Sequence, residues 1–129
     1  MTQRFPKEEK LKSKVWFDQL FVDGQSKKDF PIKAVYLSTE KLPLHQAGFS
    51  VPKRQIKSAV DRNRIKRQMR EAFRLNKHSL PDSDSTHFAV LFIFLGRGLV
   101  PYQQIEKSIK ALISKLSQPS ASWKKTNLN

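Results

Sequence analysis

Ser58-Ala59-Val60-Asp61-Arg62-Asn63-Arg64-Ile65-Lys66-Arg67-Gln68-Met69-Arg70-Glu71-Ala72-Phe73-Arg74-Leu75-Asn76-Lys77 is twenty residues without Pro or Gly. Its apolar residues follow the helical period. At about 100° per residue from Ile65, the side chains of Ile65, Met69, Ala72 and Phe73 fall on one arc roughly 100° wide, a core-facing stripe. Lys66, Lys77, Arg70, Asn63, Arg74 and Arg67 fall on the neighbouring arc. At about 1.5 Å per residue this basic stripe is roughly 20 Å long. Arg62 lies apart from it, in the first turn near the apolar seam, pointing toward a groove between helix and sheet. Ser58 and Asp61 both qualify as the N-cap.

Outward from this helix the pattern changes period. Residues 47–52 read as a short strand, with Phe49 and Val51 on one face and Pro52 closing it. On the other side, residues 79–86 are a turn-rich linker, and His87 to Leu95 is nearly all apolar, as in a central strand buried on both faces. Pro101 opens an amphipathic helix over 102–117 with Ile105, Ile109, Leu112, Ile113 and Leu116 inward. Upstream, residues 30–38 alternate as a strand, with Ile32, Ala34 and Tyr36 on one face and Lys33, Val35 and Leu37 on the other. Residues 25–29 read as a charged turn and 39–46 as a loop. Residues 13–22 form a first helix, with Phe17, Leu20 and Phe21 in one stripe and Gly24 as its stop. The expected fold is an α/β (α+β) two-layer sandwich, a small and mostly four-stranded sheet with three helices. One domain is expected over 1–129, with a core at about 13–117, a basic arm at 1–12 and a frayed tail at 118–129.

The 129 residues carry 25 Lys and Arg against 11 Asp and Glu, a formal charge of +14. Residues 53–78 hold ten of the cations (Lys53, Arg54, Lys57, Arg62, Arg64, Lys66, Arg67, Arg70, Arg74, Lys77) and two acids, Asp61 and Glu71. Like charges at i and i+4, such as Lys66 with Arg70 and Arg70 with Arg74, each cost a few tenths of a kcal/mol. Such a face implies a polyanionic partner. There is no cysteine, which excludes disulfides, a thiol nucleophile and zinc-ribbon or iron–sulfur sites, and fits a reducing, cytoplasmic setting. No apolar run is long enough to cross a membrane. No apolar h-region follows the basic start, so it does not read as a secretory signal. His45, His78 and His87 are scattered, as are the acids, so no catalytic or metal motif is evident. Gly96-Arg97-Gly98 lacks the Lys-Ser/Thr of a phosphate-binding loop.

Three runs together resemble the protein component of bacterial ribonuclease P: Ala47-Gly48-Phe49-Ser50-Val51-Pro52-Lys53-Arg54, then Ser58 to Arg67 with Arg62-Asn63-Arg64 at its centre, then Met69 to Arg74. The resemblance spans roughly residues 10–117. It implies a left-handed strand–helix–strand crossover, against the usual rule. It also implies a role in removing the 5′ leader of precursor tRNA, with catalysis by an RNA subunit and its Mg²⁺. Lys53, Arg54, Arg62, Asn63, Arg64, Lys66, Arg67, Arg70 and Arg74 would then face the catalytic RNA. Phe17, Phe21 and Tyr36 would line a cleft for the single-stranded leader, with Arg62 and Asn63 at the border of the two surfaces. Gln55-Ile56-Lys57 departs from the glycine-containing loop of many members.

On composition alone the two Phe residues belong in a core; the resemblance implies that they reach the cleft. The alternative is a structural RNA-binding protein such as a ribosomal protein, which shares the charge without the cleft. A DNA-reading helix lacks a helix-turn-helix partner. A membrane-surface helix would need apolar side chains on its exposed side.

Overall fold

The computed structural model describes residues 14–39, 45–80 and 87–117, with side chains described from 18 to 116 within these ranges. The elements run α1 (Lys14–Asp23), β1 (Gln25–Asp29), β2 (Ile32–Thr39), β3 (Gln46–Ser50), α2 (Ala59–Asn76), a 3-10 turn (Lys77–Ser79), β4 (His87–Phe94) and α3 (Tyr102–Ser117). The expected arm at 1–12, the tail at 118–129 and most of the linkers at 39–46 and 79–86 lie outside the described residues.

The sheet order is β1-β2-β4-β3. β1 and β2 pair antiparallel, as do β2 and β4, while β3 and β4 pair parallel. A parallel pair cannot be closed by a tight turn, so α2 must cross over between β3 and β4. The expected strand–helix–strand unit is therefore present, and β4 is central. Its alternate residues serve two faces. Val90, Phe92 and Phe94 join Ile32, Ala34 and Ala47 under α2 and α3, and Phe92 stacks on Phe49 with centroids 5.7 Å apart. Ala89 and Leu91 join Val35 beneath Leu20 of α1. The helix stripes are those expected: Ile65, Met69, Ala72 and Phe73 from α2, and Ile105, Ile109, Leu112, Ile113 and Leu116 from α3.

Residues 25–29 are a correction. They form a strand, not a charged turn. Gln-Ser-Lys-Lys-Asp shows no apolar alternation because β1 is an edge strand, and its lysines keep that edge from pairing with another chain. α3 packs beside it, and Lys115 Nζ donates to the Lys28 carbonyl at 2.8 Å. Ser108, almost fully buried in α3, donates to the Phe30 carbonyl at 3.2 Å. Gly24 follows α1 as expected, but without a positive φ. It is needed because a Cβ there would lie 2.3 Å from the Leu20 carbonyl oxygen and 3.0 Å from Val35 Cγ1. The glycine lets the chain pass directly from helix to sheet.

Candidate nucleic-acid interface

Ser58 is the N-cap of α2. It has extended backbone angles, and its Oγ accepts from the Asp61 amide at 3.3 Å. The cap sets the helix start, and the start sets which side chains face outward. Asn63, Arg64, Arg67 and Arg70 are exposed, while Arg62, Lys66, Arg74 and Lys77 are half-buried. Lys53, Arg54 and Lys57 are exposed in the connection from β3. The basic residues singled out in the sequence thus follow one another along one continuous segment, loop then helix, with Arg64, Arg67 and Arg70 outward and Arg62 turned back onto the loop.

Arg62 is partly committed inside the protein. Its Nη1 donates to the carbonyls of Ile56 and Lys57, at 3.0 and 2.8 Å, tying the loop to the helix. A second tie comes from Gln55, whose Nε2 donates to Leu95 O at 2.6 Å and Gly96 O at 3.1 Å. This holds the basic loop beside the turn that carries exposed Arg97. The residue that departs from the glycine pattern is therefore a built part of the loop.

The acids on the helix do not cancel its charge. Glu71 is matched by Arg74, with Nη2 to Oε2 at 2.6 Å and Nε to Oε1 at 3.0 Å. Hydrogen bonding to Arg74 holds the Glu71 carboxyl below the usual carboxylate range and the Arg74 guanidinium above its own. Arg67 and Arg70 make no hydrogen bond or ion pair with other described residues. Donors without acceptors on an exposed face are suited to phosphate oxygens.

The aromatic residues divide. Leu20 of α1 is buried at 1% exposure, while its neighbour Phe21 is 69% exposed and free to stack on a planar ligand. The side chain of Phe17 lies outside the described residues. Tyr36 is not beside Phe21. By strand alternation it lies on the α2/α3 face, where it packs edge-on against Phe88 with centroids 6.2 Å apart and its hydroxyl donates to Gln25 Oε1 at 3.4 Å. Tyr36 thus packs on the α2/α3 face of the sheet, and Leu20 of α1 packs on the opposite face. Partial burial pushes the Tyr36 hydroxyl up. The α1 face instead carries Lys33, Leu37 and Ile93, all half-buried around the contact of Leu20 with Val35, Ala89 and Leu91. Lys33 was legible from the alternation once α1 is set on the Val35 face.

Two of the scattered histidines also meet. His45 and His87 lie edge to face, centroids 5.1 Å apart, and His45 Nδ1 accepts from the Phe88 amide at 2.9 Å. Among the described residues no three His, Cys, Asp or Glu side chains converge as a metal site. Also among the described residues, no helix is long and apolar enough to cross a membrane.

A family model described as Ribonuclease P matches residues 5–117. The chain belongs to the ribonuclease P protein family. It is 39% identical over 90 residues to a ribonuclease P protein component of Vibrio campbellii, covering 70% of this chain and 73% of that one. It is 32% identical over 117 residues to a ribonuclease P protein component of Porphyromonas gingivalis, covering 83% and 82%. The fold is similar to the RNase P protein of Staphylococcus aureus, with a TM-score of 0.69 and 22% identity over 85% of this chain and 98% of that one. The Thermotoga maritima RNase P protein gives 0.68 and 20% identity, over 83% and 96%. The four-stranded mixed sheet with three helices is thus the fold of ribonuclease P proteins, and membership places this chain in an endoribonuclease complex as its protein subunit, with an RNA partner.

Proposed function

We propose that the chain supports removal of the 5′ leader from precursor tRNA in the cytoplasm, while the catalytic RNA and its Mg²⁺ carry out the hydrolysis. In this reading the catalytic RNA docks along the loop and helix formed by Lys53, Arg54, Asn63, Arg64, Lys66, Arg67, Arg70 and Arg74. Arg62 shapes the loop. The leader runs along the α1 side of the sheet, with Phe21 and Phe17 as stacking candidates. The observation that carries the reading is the exposed pair Arg67 and Arg70 on the basic face of α2, without a partner among the described residues, in a chain of this family. Its contribution is electrostatic: cations set along α2 neutralise phosphates and release counterions, lowering the repulsion between two RNAs held side by side.

The test is single-turnover cleavage of a precursor tRNA by protein alone, by a bacterial ribonuclease P RNA alone, and by both at low millimolar Mg²⁺. Cleavage at the mature 5′ end only with both present is expected. Cleavage by repurified protein alone would overturn the assignment of chemistry to the RNA. Phe21→Ala should weaken binding of precursor tRNA more than binding of mature tRNA. Tyr36→Ala, on the other side of the sheet, should not discriminate between them.

A further inference from the structure

The side of α2 next to α3 holds a groove lined by Arg67, Gln68, Arg70, Glu71, Arg74 and Tyr102. Its charge is simple to count. Arg74 and Glu71 neutralise each other, which leaves Arg67 and Arg70 as two free cations. Tyr102 is the first residue of α3, whose first turn carries no acid. The positive end of the sixteen-residue α3 dipole therefore opens near the groove.

Two polar atoms in the groove wall have no partner. The Tyr102 hydroxyl and the Gln68 side-chain carbonyl oxygen are both closed off from water without a hydrogen bond. A buried Tyr hydroxyl normally finds a partner, and leaving one unmade costs about 1–3 kcal/mol. Burial and the carboxylates of Glu106 and Glu71 push the Tyr102 hydroxyl up, so it is a proton donor at neutral pH. Gln68 offers the opposite, an acceptor. Both atoms belong to side chains that line the groove together with Arg67 and Arg70, so a ligand seated on the two guanidinium groups lies beside them.

A ligand that satisfies this groove must bring acceptor oxygens with negative charge and, beside them, a hydroxyl donor. A ribose-phosphate unit does both, and a deoxyribose-phosphate unit lacks the donor. We propose that this groove seats one ribose-phosphate unit of the catalytic RNA, with its phosphate on Arg67, Arg70 and the Tyr102 hydroxyl and its 2′-hydroxyl on Gln68. The proposal rests on the docking of that RNA along α2. It adds α3 to the interface and gives it a means of telling RNA from DNA.

The test compares the unmodified protein, Tyr102→Phe and Gln68→Met for binding to a transcribed bacterial ribonuclease P RNA at fixed salt, with urea unfolding of each in parallel. A hydrogen bond to a charged phosphate predicts roughly 10- to 100-fold weaker binding by Tyr102→Phe. Its unfolding midpoint should be unchanged or raised, because a partnerless buried hydroxyl has been removed. In a pool of the RNA carrying scattered 2′-deoxy substitutions, at least one position should impair binding to the unmodified protein and not to Gln68→Met. Equal RNA affinity of Tyr102→Phe and the unmodified protein overturns the phosphate seat, and absence of any such position overturns the 2′-hydroxyl contact. If the folded, unmodified protein itself fails to bind the RNA, the docking reading falls and the groove assignment falls with it.

Discussion

Gly24 shows how much of the fold rests on one absent side chain. α1 and β1 are separated by this single residue, and Leu20 anchors the helix on Val35, Ala89 and Leu91. A methyl group at position 24 would meet a backbone oxygen, which cannot swing aside as a side-chain tip can. Gly24→Ala should therefore lift α1 from the sheet and destabilise the protein by about 1–3 kcal/mol, read as a lower urea midpoint. Glycine was visible here as a helix stop, yet its constraint is steric, set first by the Leu20 carbonyl of its own helix and then by Val35 of β2, eleven positions away. Tyr36 teaches the same lesson. The alternation of β2 was read correctly, but which face α1 would cover depends on long-range packing, and only the folded sheet shows Tyr36 and Phe21 on opposite sides.

At the scale of elements, legibility followed period. α2 and α3 each bury a stripe wide enough to dominate the pattern, and both were placed within a residue or two of their ends. β4 announced itself by burial on both faces. β1 did not, because an exposed edge strand has no reason to alternate. The choice between Ser58 and Asp61 as cap was open until backbone angles separated them. Ser58→Ala removes the acceptor for the Asp61 amide and should cost about 1 kcal/mol, measured by chemical denaturation. Because this cap also fixes where the exposed arginines begin, the basic side of the interface is only as ordered as the first turn of α2. The candidate site was legible as a helical stripe plus a basic pair. The ties made by Gln55 and Arg62 were not, since main-chain carbonyls leave no mark in a sequence.

At the scale of the molecule, a net charge of +14 on 129 residues opposes folding through self-repulsion. Anions that settle on the native basic face stabilise it by mass action. Sodium sulfate should therefore raise the melting temperature more than sodium chloride at equal ionic strength, and substituting Arg67 and Arg70 together by Gln should shrink that difference. RNA affinity should depend steeply on salt: with six to ten phosphates engaged it falls roughly 10³- to 10⁵-fold between 50 and 200 mM.

The loop between β3 and α2 is fastened at both ends by side chains that grip main-chain carbonyls. Gln55 grips the carbonyls of Leu95 and Gly96, and Arg62 grips those of Ile56 and Lys57. Every amino acid brings a carbonyl, so these knots do not depend on which side chain stands at position 57 or 95, whereas Ile56 is held by the core and Gly96 by the Phe94 ring. The side-chain hydrogen bonds that fasten the loop are thereby concentrated in two codons, 55 and 62. A lineage could remodel the loop by changing either one, without redesigning the surfaces around it.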